Sequence, residues 1–364
     1  MLSLGLMSGT SCDGMSAALA EFRGRQLRVI ASSTTRYPSS LRQQLLHAGT
    51  LHTPDIARLH VLLGERFAHA ALRLLRRAGV ARRTIRVIGS HGHTVYHGPR
   101  DVPPCTLQLG APAVIAHRTR IPVVADFRAR DVAAGGEGAP LVPYFDVWRF
   151  GHGRARAVQN IGGIANITIV GARIAPVAFD TGPGNCLMDL VAARISKGRY
   201  QYDPQGRMAA QGRIDPRAIR RLWQQPFFRR PPPKSTGREL FNDALLRQVF
   251  GNQLRRQPYD VLATVTYFTA WSIAQSLRRY APRPIHEIVV SGGGVYNRTL
   301  MEHLQQLLTP IPVRSIASYG IPPLAKEPVT FALLASRAIR GLPNHLPETT
   351  GAQSRCVLGT ITRA

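Results

Sequence analysis

ARAVQNIGGIANITIVGARIAPVAFDTGPGNCLMDLVAARIS, residues 155–196, alternates short apolar runs with glycine turns before a helical period begins near Asn185. Two runs meet at Gly162-Gly163, and a third ends in Asp180-Thr181-Gly182-Pro183-Gly184. This predicts strand, tight turn, strand, turn, strand and helix. The beginning of the chain repeats the order. GLMSGTSCDGMSAAL, Gly5–Leu19, breaks an apolar run with a polar, glycine-punctuated loop. MSAALAEFRG and RQLRVIASSTTRYP then read as a hairpin turning at Gly24. Apolar residues at Ile56, Leu59, Leu62, Leu63, Phe67 and Leu74 follow at helical spacing, ended by Gly79. The echo predicts a duplicated α/β architecture of two related lobes.

Between and beyond these segments the same grammar continues. IRVIGSHGHTVYH and IPVVADFRARDVAAGG each begin as a buried strand and run into polar residues, so their ends are expected at one sheet edge, where open α/β sheets bind ligands. VLATVTYFTAWSIAQSLRRY is helical, and IHEIVVSGGGVYNRTLMEHLQQLL reads as strand, glycine turn and helix. QPFFRRPPPKSTGRELFN is an irregular connection, because Pro231–Pro233 cannot enter a helix interior.

At 364 residues and 44% hydrophobic content, the chain can bury a large core. Its formal net charge of +27 invites a polyanion-binding reading. The arginines are scattered from Arg23 to Arg363, however, and no basic run interleaved with aromatics offers a stacking platform. No nucleic-acid partner is expected; the positive field suits a small acidic substrate equally well. Cys12, Cys105, Cys186 and Cys356 form no C-x-x-C pair, so neither a metal site nor a disulfide framework is expected, in keeping with a reducing cytoplasm. Neither a signal-peptide pattern nor a run of about 18 apolar residues is present, and a soluble, unexported protein without membrane partners is expected.

Four glycine turns stand in order: MSGTSCDG, NIGGIANIT, FDTGPGN and SGGGVYN. Backbone N–H groups beside glycine, with the hydroxyls of Thr10, Ser11 and Thr181, can surround the phosphates of a nucleotide. None of the turns fits the P-loop or the G-x-G-x-x-G dinucleotide fingerprint. Asp180, between an apolar strand and a Gly-Pro-Gly turn, is the candidate base, with turn or helix capping as its structural alternative.

GLMSGTSCDG, SHGHTVYH, TLQLGAPAVIA, DFRARDVAAGGEGAPLVP, QNIGGIANIT, FDTGPGN, PPPKSTGRELFN and VSGGGVYN together resemble the anhydro-N-acetylmuramic acid kinase family, in order and over nearly the whole chain. The resemblance implies a two-lobed sugar-kinase/actin/Hsp70-like (ribonuclease H-like) α/β fold with an interlobe cleft. It implies ATP and Mg2+, a cytoplasmic homodimer, and a place in cell-wall sugar recycling. Residues 1–127 with 355–364 are expected to form the first lobe, and 128–354 the second.

The implied reaction opens the 1,6-anhydro ring of 1,6-anhydro-N-acetylmuramic acid with water while O6 takes the γ-phosphoryl group. Asp180 matches the family's catalytic aspartate. The resemblance places Gly9, Thr10, Ser11, Cys12, Asp13, Gly14, Met15 and Ser16 at the nucleotide, with Gly162, Gly163, Asn166, Gly182 and Gly184. Gly292, Gly293, Gly294 and Asn297 form the adenosine-side turn. His93, Arg130, Asp131 and Glu327 match sugar-side positions. The sequence departs from the family pattern at Ser16, His93, Ala111, Glu137, Asp146 and Pro204, so substrate preference is an open point. Competing readings are a kinase for another anhydrosugar such as levoglucosan, and a non-catalytic ATP-dependent clamp.

Overall fold

β1 (Leu2–Ser8), β2 (Gly14–Arg23) and β3 (Gln26–Arg36) form the expected antiparallel meander, with Gly24 at the β2–β3 turn. The computed structural model describes residues 1–9, 12 and 14–364. β4 (Val87–Gly98) lies parallel to β1, β5 (Cys105–Leu109) folds back on β4, and β6 (Val123–Ala125) runs parallel to β4.

β7 (Arg156–Ile161), β8 (Ile164–Val170) and β9 (Val177–Pro183) make a second meander. β10 (Glu287–Ser291) is parallel to β7, and β11 (Val313–Ser315) is parallel to β10. β12 (Thr360–Thr362) closes the first sheet antiparallel to β6. The spatial orders β3-β2-β1-β4-β6 and β9-β8-β7-β10-β11 therefore coincide strand for strand. The duplication read from the glycine turns is present as a repeated topology. In each sheet the parallel strands end at one edge, as expected.

The chain divides into two compact units, residues 1–149 with 319–364 and residues 150–318. These limits differ from the expected breaks after 127 and 354, because residues 128–149 and 319–354 belong to the first unit. The helix Lys326–Ala338 accounts for much of the difference. It lies so close to the first sheet that a Cβ at Gly5 would run into the Pro328 carbonyl, and one at Gly89 into that of Phe331. Only glycine permits this approach. Phe127, at the start of the helix Phe127–Ala133, packs into the same cluster as Val124, Phe331 and Leu334.

Along β1 the side chains alternate: Leu4 and Leu6 face the helix Thr53–Arg77 through Leu59, Leu63 and Phe67, and Gly5 faces the opposite side. The second unit is cored by Phe228, Phe241 and Phe268 around the helix Pro258–Tyr280, with Trp223 stacked on Phe228. Among the described residues no helix is long and apolar enough to cross a membrane.

Candidate active site

Three of the glycine turns converge in the second unit at the end of β7. The N–H of Asn185 donates to the Gly162 carbonyl at 2.7 Å, and those of Gly184 and Cys186 to the Gly163 carbonyl at 3.0 and 3.1 Å. A Cβ at Gly184 would collide with the Gly162 oxygen, so the FDTGPGN turn can close on the β7–β8 turn only with glycine there. Gly292 lies against Ile161 and Asn160, and the Ser291 hydroxyl bonds Asn160 Oδ1 at 3.2 Å. Gly293 sits beside the Asn185 amide. The edge is thus a backbone surface made by Gly162, Gly163, Gly184, Gly292 and Gly293, in front of the helix Cys186–Ile195.

Asp180 stands on β9 itself, three residues before the strand ends at Pro183. It faces Asn166 across the ladder, and the register slips beyond that pair, so Gly182 pairs with Ala165 and Thr181 is the extra residue of a bulge. The Thr181 hydroxyl turns inward to the Ala165 carbonyl, 3.1 Å, and is buried. Asp180 is half-buried on the other side of the strand from Phe179. Among the described residues one hydrogen bond reaches its carboxylate, from the Thr236 N–H to Oδ2 at 2.8 Å.

Burial raises the Asp180 carboxyl to about 6; the Thr236 bond pulls it down, Glu239 pushes it up, and Lys234 pulls it down. Asp180 caps neither its turn nor the following helix, whose N-cap residue is Asn185. Lys234 is buried, its ammonium over the rings of Phe227 at 4.6 Å and Tyr280 at 5.1 Å, and burial lowers it to about 8. The sequence reading takes Gln225–Asn242 as a connection. The Ser-Thr-Gly after Lys234, beside a proline run, was the signal that this loop returns to β9.

Asn297, expected at the adenosine, is instead nine-tenths buried as the N-cap of the helix Arg298–Leu308, accepting from the Leu300 N–H at 3.0 Å. Gly294 packs on Ile161 in the same way. This half of SGGGVYN is strand-to-helix packing.

In the first unit, Thr10, Ser11 and Asp13 lie outside the described residues. Around them, the Cys12 N–H donates to the Gly9 carbonyl at 3.1 Å. Cys12 and Met15 turn their side chains into the core with Leu4 and Leu6, contrary to side-chain contacts with a nucleotide. Gly14 and Ser16 are in β2, and Ser16 bonds Thr34 across the strand at 3.0 Å. His93 is 2% exposed, with Nδ1 on the Ser8 hydroxyl at 2.9 Å and Nε2 near Cys12 Sγ at 3.8 Å. Tyr37 completes this chain by donating to Ser8 at 2.8 Å. Burial lowers His93 to about 4, so it is neutral and locked inside, which corrects the expected sugar contact.

Asp131 is corrected in the same way. It is fully buried, its Oδ1 accepting from His345 Nδ1 at 2.7 Å and Thr350 at 2.9 Å, its Oδ2 from the Gly138 N–H at 2.8 Å. Burial alone would raise its carboxyl, and these bonds outweigh burial and hold it low. It braces a loop rather than meeting a ligand.

Arg130 beside it is exposed. Arg128, which sequence reasoning passed over, donates Nε to His91 Nε2 at 2.9 Å and Nη1 to the Gly138 carbonyl at 2.7 Å. Burial lowers Arg128 to about 10, opposed by the negative charges of Glu327 and Asp131. Glu327, at the start of the helix Lys326–Ala338, is half-buried and raised by burial, with Lys326 and Arg128 pulling the other way. Arg128 and Glu327 are an electrostatically coupled pair at the loop Asp131 braces.

The family model for anhydro-N-acetylmuramic acid kinase matches residues 1–364. The chain belongs to that family. It is 40% identical to the anhydro-N-acetylmuramic acid kinase of Caldanaerobacter subterraneus subsp. tengcongensis over 99% of this chain and 96% of the relative. It is 43% identical to that of Salinibacter ruber, over 98% and 95%, and 42% identical to that of a Shewanella species, over 98% and 97%. Among solved structures, Acidaminococcus fermentans (R)-2-hydroxyglutaryl-CoA dehydratase component A is similar over 92% of this chain and 97% of its own, with 11% identity and a TM-score of 0.48. That likeness is too slight to carry a functional statement.

The departures from the anhydro-N-acetylmuramic acid kinase pattern now have places. Ser16 and His93 sit in the internal bonds just described. Ala111 is buried against Gly64, and Glu137 is exposed, its Oε1 accepting from both Nε and Nη2 of Arg100. Asp146 is fully buried and ion-paired with Lys326 at 2.8 Å, so the buried carboxylate has a counter-charge. Pro204 opens a short turn whose Gly206 lies against Asn297. None touches Asp180.

Proposed function

We propose that this kinase transfers the γ-phosphoryl group of ATP to O6 of 1,6-anhydro-N-acetylmuramic acid as water opens the anhydro bridge, giving N-acetylmuramic acid 6-phosphate and ADP. The relatives' names support the substrate. One observation on this chain carries the mechanism: a half-buried carboxylate, raised to about 6 and held by one N–H, on the strand that leads into the glycine turns.

O6 of the substrate is bound in an acetal, so no hydroxyl is available to attack ATP. Asp180 takes a proton from water as the water oxygen bonds to the anomeric carbon. The C1–O6 bond breaks, and O6 takes the phosphoryl group, leaving ADP. A base near 6 is ionised at neutral pH and still far more basic than an ordinary aspartate. The Thr236 N–H fixes Oδ2 and leaves Oδ1 to meet the water.

The backbone at Gly162 and Gly163, with Gly184 closing the turn against it, and the residues Gly9, Thr10, Ser11, Asp13 and Gly14 are assigned to the phosphates. Asn166 and Gly182 flank the base. Arg130 and Glu327 are assigned to the sugar, whose lactyl carboxylate suits a guanidinium. The Mg2+ that the family resemblance implies is assigned mainly to phosphate and water oxygens. Bound there, Mg2+ supplies charge compensation.

The reading includes a cytoplasmic homodimer, supported by the family resemblance. No observation favours levoglucosan or a non-catalytic clamp. Reaction in 18O water tests it: the product carries one phosphate and one labelled oxygen at the anomeric position, and a phosphorylated product without the label would overturn it. As pH falls through about 6, protonation of Asp180 removes the base, so kcat/KM declines toward acid; a pH–rate profile flat to pH 5 would contradict that.

A further inference from the structure

β9 is the last strand of its sheet, so the outer edge at Asp180 meets no further strand. The segment 234–236 takes that place. The Asp180 N–H donates to the Lys234 carbonyl at 3.0 Å, and two residues on the Thr236 N–H returns to Asp180 Oδ2 at 2.8 Å. Residues 234–237 belong to neither helix nor strand, so their hold on β9 depends on what else ties them down.

The Lys234 side chain is that tie. It is 5% exposed, and among the described residues its ammonium makes no hydrogen bond or ion pair; it rests on the faces of Phe227, 4.6 Å, and Tyr280, 5.1 Å from the ring centres. Both rings are fixed independently. Phe227 is buried against Phe228 and Phe241. Tyr280 donates its hydroxyl to the Arg230 carbonyl at 3.1 Å and packs edge-on against Phe179, the residue before Asp180. The contacts therefore close on themselves, from Asp180 through Phe179, Tyr280 and Lys234 back to Asp180. A buried ammonium without an acceptor is costly, and a methionine would fill the same slot at less cost. What the charge adds is attraction to two ring faces and to the neighbouring carboxylate.

We infer that Lys234 is a positioning residue for the base: seated between Phe227 and Tyr280, it pins residues 234–236 along the open edge of β9 and keeps the Thr236 N–H on Asp180 Oδ2. The inference rests on Asp180 acting as that base, and Lys234 works through it rather than on the substrate. Several groups bear on the pair. Asp180 faces Lys234 from β9, Arg279 and the Tyr280 phenol from the helix Pro258–Tyr280, and Arg230 from the connection itself. Glu239 faces Asp180 from further along that connection. Burial and Glu239 favour the protonated carboxyl, whereas the Thr236 bond and the Lys234 charge favour the ionised one. Removing Lys234 thus acts twice in one direction, by withdrawing its charge and by freeing the Thr236 N–H.

The test is Lys234→Met in the full chain, which keeps length and packing without the charge. Asp180 is titrated by 13C NMR of labelled aspartate carboxyls, its signal identified by its loss in Asp180→Asn, beside the pH dependence of kcat/KM. The Asp180 midpoint is expected to rise by about one unit, so kcat/KM falls about fivefold more at pH 6 than at pH 8. A merely structural role would lower both alike. Tyr280→Leu, which removes one ring and keeps the charge, moves the midpoint the same way by less, and it decides the question if the methionine variant does not fold. An unmoved Asp180 midpoint in the folded variants would overturn the inference. The NMR titration needs no turnover, so a wild type inactive on the anhydrosugar would overturn the kinase reading while the hold of Lys234 on Asp180 is still decided.

Discussion

At the edge of the first unit, polar side chains bind one another: Tyr37 to Ser8, Ser8 to His93, Arg128 to His91, and Asp131 to His345 and Thr350. At the corresponding edge of the second unit, the same strand order presents glycine backbone and one half-held carboxylate. Internally satisfied groups give a rigid frame with little capacity left for a ligand. Glycine turns leave backbone uncovered by side chains, and a carboxylate with one hydrogen bond among the described residues keeps lone pairs for chemistry. One topology, used twice, separates framework from reactivity.

The sharpest break in this contrast comes from Gly184→Ala. Its new methyl group meets the Gly162 carbonyl, a backbone atom that cannot swing aside. The expected cost is at or above the upper end of the roughly 1–3 kcal/mol typical of overpacking, with nucleotide affinity lost as the turns part. Urea unfolding and nucleotide titration check it; unchanged affinity would show that the turn convergence is incidental.

Next in size is Asp131→Asn, which presents an amide to three donors and should destabilise by about 2–3 kcal/mol. Asp131 is held low by its partners, so it stabilises the fold above the ordinary carboxylate range, and this stability is lost as pH falls through its depressed folded value. The variant's deficit in denaturant midpoint therefore shrinks in strong acid, and a pH-independent deficit would argue against the bracket. Smallest is Tyr37→Phe, which removes one buried hydrogen bond and should cost about 1 kcal/mol with kcat retained. A large fall in kcat would move the Tyr37–Ser8–His93 chain from framework to chemistry.

Much of this was legible in the sequence. Glycine pairs between short apolar runs, as at Gly162-Gly163, require turns and so fix the meanders, and the echo of Gly5–Leu19 in residues 155–196 gave the repeat. The unit boundaries were not, because the helix Lys326–Ala338 returns to β1 and β4 from far along the chain, through glycines at positions 5 and 89 that look unremarkable in a strand. Side-chain destinations were hidden for a related reason. Asp131 and His93 lie in polar motifs, but their partners, His345 and Ser8, are distant in sequence, so a buried bracket and a ligand contact read alike. Asp180 was legible as a position, and its register bulge and Thr236 partner were not.

Asp180→Asn puts the second unit's reactive role to the most direct trial, read as turnover of 1,6-anhydro-N-acetylmuramic acid beside nucleotide affinity. The charge Asp180 loses is one that burial disfavours, so the variant should fold at least as well as the parent near pH 8. Turnover is expected to fall by about 10²–10⁴-fold with nucleotide affinity within a few-fold of the parent. Turnover retained within a few-fold, in a folded variant that binds nucleotide, would contradict the account.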